Sequence, residues 1–119
     1  MIPYLSVIIS AYNEDDNLRR GTLDVVIDYL KRQKYSWELI VVNDGSTDST
    51  LTQLNQFAKL HPHLQIINNP HMGKAAGIIS GALTAKGELI LFTDMDQATP
   101  ISEFDKFLPL LEAGSAIVI

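Results

Sequence analysis

Asp94-Met95-Asp96 sets two carboxylates one residue apart, directly after the apolar run Leu89-Ile90-Leu91-Phe92-Thr93. Like charges held that close repel, and a divalent cation removes the cost. On an extended chain, alternate side chains share a face, so both carboxylates would be aimed at one ion. Oxygen donors suit Mg2+ or Mn2+, which commonly bridge to substrate phosphates. The purely structural alternative has one Asp capping a helix and the other solvated. Asn43-Asp44-Gly45-Ser46-Thr47-Asp48 is a second cluster. Its glycine permits a left-handed backbone, and Thr47 or Asp48 reads as the cap of the helix that follows. Asp44 comes before the cap, where a carboxylate can accept from a base N–H or from ribose hydroxyls. Glu14 has the same logic after the first apolar run, beside Tyr12, whose ring offers a face for stacking. Gly73-Lys74-Ala75-Ala76-Gly77 puts a lysine at a helix N-terminus among small residues. Helix amides and one cation together make an anion site; the structural alternative is a solvated lysine over a close helix–sheet contact. His71 is either within reach of such an anion or simply exposed in its loop. His61 and His63 flank Pro62 as solvated loop residues, and no zinc site is read from them.

Other chemistries are excluded. The glycine pattern is neither a Walker loop nor G-x-G-x-x-G, and there is no G-x-S-x-G. The absence of cysteine removes disulfides, thiolate catalysis and Cys-based zinc sites, and fits a reducing cytosol. Nine Lys and Arg stand against 14 Asp and Glu, so the chain has no basic footprint for nucleic acid. An acidic protein that handles a polyanion needs a metal or a local cationic pocket.

The elements that position these groups follow from periodicity. At 119 residues, 46% hydrophobic and 19% charged, the chain has one domain's worth of core and no low-complexity tract. Leu5 to Ser10, Glu38 to Asn43, Leu64 to Ile67 and Leu89 to Thr93 read as strands. The first lacks the positive start of a secretory signal and reads as a buried strand. No apolar run approaches the ~20 residues of a membrane span. Between strands, Asp15, Asp16 and Asn17 start a helix that continues through Leu23, Val26, Ile27 and Leu30. A second has Leu51, Leu54, Phe57 and Ala58 inward and stops at Pro62. Residues 74–85 form a third, and Thr99-Pro100 opens a last one with Ile101, Phe104, Leu108 and Leu111 inward. Residues 116–119 begin a fifth strand. Doubly apolar strands alternating with helices predict an α/β, Rossmann-like parallel sheet with helices on both faces. The expected order has the first strand between the second and fourth, with the third outside the second. Ligands in such sheets bind beyond the carboxyl ends of the strands, which is where Tyr12, Glu14, Asp44, Lys74, Asp94 and Asp96 all fall.

The ordered set of Ser6 to Glu14, Val41 to Asp48, Gly73-Lys74-Ala75-Ala76 and Phe92-Thr93-Asp94-Met95-Asp96 covers almost the whole chain. It resembles the family-2 inverting glycosyltransferases, with the polyprenyl-phosphate or dolichyl-phosphate hexosyltransferases the closest group, where Thr99-Pro100 following Asp94 also fits. The resemblance implies a glycosyltransferase-A fold and a nucleoside-diphosphate sugar donor, most often UDP-linked. It assigns Tyr12 and Glu14 to base and ribose and Asp44 to the base, puts Lys74 near the nucleotide, and counts Ala11 among the nucleotide-sugar-binding residues. It assigns Asp94 and Asp96 to ribose, diphosphate and a Mg2+ or Mn2+ ion, as the metal ligands, with Met95 between them among the nucleotide-sugar-binding residues. Met95 stands where a small residue is usual and Gln97 where an apolar one is usual, which leaves the sugar preference open.

The resemblance further implies transfer of a hexose, with inversion, to a lipid phosphate or saccharide. A base is either beyond Ile119 or not needed, since a lipid phosphate is already anionic. The family domain is roughly twice this length, so the expectation is a nucleotide-sugar-binding half, residues 1–119, of a longer protein. That protein would be cytoplasmic or at the cytoplasmic face of a membrane. The half alone would bind nucleotide weakly, would not transfer sugar, and would self-associate through an unpaired strand edge. A non-catalytic nucleotide-binding remnant and a nucleotidyltransferase of similar fold are the competing readings. A response-regulator receiver is disfavoured because Asn68-Asn69 stand where it needs an Asp.

Overall fold

The computed structural model describes residues 2–114. Four parallel strands, β1 (Leu5–Ala11), β2 (Trp37–Asp44), β3 (Leu64–Asn69) and β4 (Leu89–Phe92), lie in the expected order β3-β2-β1-β4. The strand expected at residues 116–119 lies outside the described residues. The helices are α1 (Asp15–Arg19), α2 (Thr22–Lys31), α3 (Thr50–Leu60), α4 (Lys74–Thr84) and α5 (Phe104–Glu112), the last preceded by a 3-10 turn over Ile101–Glu103.

β1 and β2 are apolar on both faces because both are covered. On one face Val7, Ile9, Leu39 and Val41 join Leu23, Val26, Ile27 and Leu30 of α2, Leu54 of α3, Met95, Ile101 and Phe104 in one core. On the other face Ile8, Ile40 and Val42 form a thinner layer under α4, with Ile67, Ala82 and Ala85. Each fully buried aliphatic or aromatic side chain contributes about 1.5–3 kcal/mol, so most of the apolar stabilisation sits on the first face. α4 reaches the sheet through glycines: a Cβ on Gly81 would meet Ile8 Cγ2 at 2.4 Å, and one on Gly77 would meet Ser10 Oγ at 2.6 Å.

Two local differences from the sequence reading have clear causes. The first helix is broken, because Gly21 takes a left-handed backbone (φ +85°) and Thr22 Oγ1 donates to the Asn17 carbonyl. Residues after β4 are not extended. The Gln97 N–H donates to the Asp94 carbonyl at 3.1 Å, with Gln97 at φ +55°, so Asp94-Met95-Asp96 lies in a turn.

Parallel pairing brings the strand ends to one side. Ala11 pairs with Asn43, and Asp44 with Asn69. The Thr93 N–H donates to the Ile8 carbonyl at 3.1 Å, carrying the β4 ladder one residue past the strand. The opposite end is closed by a polar knot: Glu38 accepts from Ser6 Oγ at 2.5 Å and from the Lys86 N–H at 2.7 Å.

Candidate functional site

The loops at the carboxyl ends are braced against each other. Asn13, at φ +50°, accepts from the Thr47 N–H at 2.8 Å, and its own N–H donates to Ser46 Oγ at 3.0 Å. The Glu14 N–H donates to Thr50 Oγ1 at 2.9 Å. Asp48 accepts from the Thr50 N–H at 2.9 Å and from the Asp15 N–H at 3.3 Å. Backbone groups that a strand end would leave unpaired are thus satisfied by side chains of the neighbouring loop.

Asp44 is buried. It accepts from the Met72 N–H at 2.8 Å and the Gly73 N–H at 3.0 Å, with His71 Nδ1 2.9 Å away. The Met72 amide above all, then the Gly73 amide and His71, hold its carboxyl below the usual carboxylate range against the opposing effect of burial. The Tyr12 ring lies on His71, with centroids 4.2 Å apart.

A crevice of about 280 Å³ is lined by Ser10, Tyr12, Glu14, Lys74, Asp94, Met95 and Asp96. Lys74 Nζ pairs with Asp94, and Asp96 accepts from the Ala98 N–H at 3.0 Å. Burial first, then the charges of Asp96, Asp94 and Asp48, push the Glu14 carboxyl up, while Asn17 opposes this. The crevice therefore offers three carboxylates, one ammonium and an aromatic ring. Those hard oxygen donors fit Mg2+ or Mn2+. Among the described residues no three His, Cys, Asp or Glu side chains are already gathered as a metal cage, so an ion would take further ligands from water or phosphate.

The sequence profile of glycosyl transferase family 2 matches residues 6–119. The chain belongs to that family. A dolichyl-phosphate beta-glucosyltransferase of Trichomonas vaginalis is 41% identical over 108 residues, covering 86% of this chain and 33% of that protein. An undecaprenyl-phosphate 4-deoxy-4-formamido-L-arabinose transferase of Proteus mirabilis is 31% identical, covering 96% and 35%. The chain spans about a third of the length of these curated relatives. A mannosyltransferase of Pyrobaculum calidifontis, solved in complex with GDP-Man and Mn2+, superposes with a TM-score of 0.70 at 28% identity, covering 87% of this chain and 30% of that one. TarS of S. aureus in complex with UDP gives 0.69 at 23% identity over 90% and 32%, a likeness of fold. The parallel sheet with helices is accordingly the glycosyltransferase-A type.

Within this family 2 chain, Tyr12, Glu14, Lys74, Asp94 and Asp96 share the crevice, whereas Asp44 sits behind it under residues 71–73. Ala11 and Met95 belong to the core, at 0% and 1% exposure; Met95 still borders the crevice, whereas Ala11 does not line it. The turn gives Asp94 and Asp96 different partners in place of the shared aim expected from an extended strand. Thr47 braces Asn13, and Asp48, one residue before the Ser49 N-cap of α3, accepts from the Thr50 N–H. Asn13 and His71 carry more of the site than their sequence positions suggested. The available signal was Asn13 itself, since Asn is among the residues that tolerate positive φ at a strand-to-helix turn.

Proposed function

We propose that this chain is the donor-binding part of an inverting glycosyltransferase that passes a hexose from a nucleoside-diphosphate sugar, UDP-linked, to a polyprenyl phosphate, with Mg2+ or Mn2+. One observation carries the reading: Glu14, Lys74, Asp94 and Asp96 meet Tyr12 at one crevice beyond the carboxyl ends of the strands. Tyr12 supplies a face for the base, and Glu14 accepts from ribose hydroxyls. Lys74, at the N-terminus of α4, adds its charge to the helix amides on the diphosphate side. Asp94 and Asp96 would hold the divalent ion, which when bound offsets the charge developing on the departing diphosphate. Inversion requires the acceptor to reach the anomeric carbon from the face opposite that leaving group. A lipid phosphate, with a second pKa of about 6, is anionic at neutral pH and attacks without a general base. A cytoplasmic protein, working at the cytoplasmic face of a membrane, fits such an acceptor and the absence of cysteine.

Calorimetric titration with UDP and GDP in Mn2+, Mg2+ or chelator tests the donor site. Tighter UDP binding with metal is expected, and Asp96→Ala should abolish the metal dependence while circular dichroism stays unchanged. Equal affinity in chelator and in metal would overturn the metal assignment. Transfer of radiolabel from UDP-glucose to a polyprenyl phosphate by the whole protein tests the acceptor.

A further inference from the structure

Tyr12 and Asp44 stand at the carboxyl ends of neighbouring strands, and one side chain of the chain itself touches both. His71 Nδ1 lies 2.9 Å from Asp44 Oδ2 and 3.1 Å from the Asp44 carbonyl oxygen. The Asp44 carboxyl, held below the usual range, is ionised at neutral pH. Both oxygens therefore only accept, so Nδ1 carries the proton and donates it. The same imidazole lies on the Tyr12 ring, with centroids 4.2 Å apart and planes 31° apart. A flat ring that stacks on tyrosine and donates an N–H to a buried carboxylate is what uracil or guanine would present there. Any base that touches both groups must take the place His71 holds.

His71 is held there by few contacts. Its side chain is 58% exposed, against 3% for Asp44. The backbone beside it is fixed separately, by the Met72 N–H on Oδ1 at 2.8 Å and the Gly73 N–H on Oδ2 at 3.0 Å. It also rests flush on Gly45, where a Cβ would fall 2.6 Å from the His71 backbone N. A carboxylate offers about four acceptor positions, so departure of the imidazole frees one on Oδ2 while both amides stay. Rotation about the His71 side-chain bonds, between staggered positions, is enough to clear the spot without moving the loop.

We propose that His71 is a built-in competitor for the nucleobase: its imidazole imitates the base between Tyr12 and Asp44 and must rotate out before a base can stack and donate to that carboxylate. This rests on the nucleoside-diphosphate reading above and deepens it. Binding of the base exchanges one N–H on Asp44 Oδ2 for another, so the carboxylate is not left without a donor at that position. A competitor that is in place about nine-tenths of the time weakens every base-bearing ligand about tenfold, and by the same factor. A bare diphosphate, which has no base to seat, is not affected.

Calorimetric titration of wild type and His71→Ala with UDP, GDP and inorganic diphosphate, each in Mn2+, tests this. His71→Ala should bind UDP and GDP about tenfold more tightly, both to the same extent, and diphosphate unchanged. Unchanged or weaker UDP binding would overturn the proposal. So would diphosphate gaining as much as UDP, which marks a loosened loop instead of a cleared base position. Wild-type protein answers without any substitution. In NMR of labelled imidazole nitrogens, saturating UDP should move the His71 signals and diphosphate should leave them, with His61 and His63 as references. His71 signals that stay put under UDP would sink the idea. If neither wild type nor His71→Ala binds UDP, the nucleotide reading falls and the competitor with it; if UDP binds but His71→Ala gains nothing, the competitor alone falls.

Discussion

Asp44 ties the chemistry of one residue to the stability of the whole chain. Its carboxyl is held below the range it has when unfolded, by the Met72 amide first and then by Gly73 and His71. A group lowered in this way contributes stability that is fully present above its unfolded pKa and is lost as pH falls through its folded pKa. Urea denaturation from pH 7 down to pH 2 should therefore show a loss of stability across and below the ordinary carboxylate range. Asp44→Asn should be less stable than wild type at pH 7, with the gap closing in acid; a constant gap would count against this account. Residue types at the strand ends were legible without the structure. Their division of labour was not, because Asp44 and Asp94 look alike in a sequence while one faces backbone amides and the other an amine.

At the scale of elements, α4 shows how a close approach is encoded. Ala on Gly81 gains about 1 kcal/mol of helix propensity, but its Cβ meets the branched Ile8 Cγ2 at 2.4 Å. Overpacking of that kind costs about 1–3 kcal/mol, so Gly81→Ala should destabilise the protein by up to about 2 kcal/mol in urea titrations. Gly77→Ala should cost less, because its contact is the Ser10 hydroxyl, which can rotate away. Elsewhere α5 is held by a polar latch: Tyr29 Oη donates to Asp105 at 2.5 Å, and burial first, then that bond, raises the Tyr29 hydroxyl strongly. Tyr29→Phe should lower stability by about 1 kcal/mol, the net worth of one hydrogen bond, since the exposed Asp105 carboxylate can turn to water instead. The strands, the strand order and the inward faces of α2 and α5 were readable from period and burial pattern. The break at Gly21 and the turn after β4 were not, since each depends on a single left-handed residue that leaves hydrophobic periodicity intact.

The molecule as a whole is lopsided. One face of the sheet carries α2, α3, the 3-10 turn and α5 over a large core, and the other carries α4 over three buried residues. Among the described residues β4 has a neighbour on one side only. Ile90 and Phe92, at 43% and 49% exposure, are in register with Ser6 and Ile8 and so lie on the α4 face. An apolar edge strand of this kind pairs with other chains. The 119-residue chain should associate in sedimentation experiments as concentration rises, and Phe92→Ser should shift it toward monomer; an unchanged distribution would remove β4 from the contact.

The central place of β1 also sets a problem of timing. The strand that joins β2 to β4 precedes both of them in the chain, and its partner positions on β4 lie 84 residues downstream. At about 5–20 residues per second, roughly 4–17 seconds of translation separate the two. For that interval Leu5-Ser6-Val7-Ile8-Ile9-Ser10 is an apolar, β-prone segment without charge or proline, with only β2, 32 residues away in register, able to cover one side of it. Segments of that composition nucleate cross-β assembly when left open. The same residues that make the most buried strand of the finished protein are thus its most hazardous stretch while it is being made, and a nascent-chain-binding chaperone should occupy β1 until β4 has been synthesised.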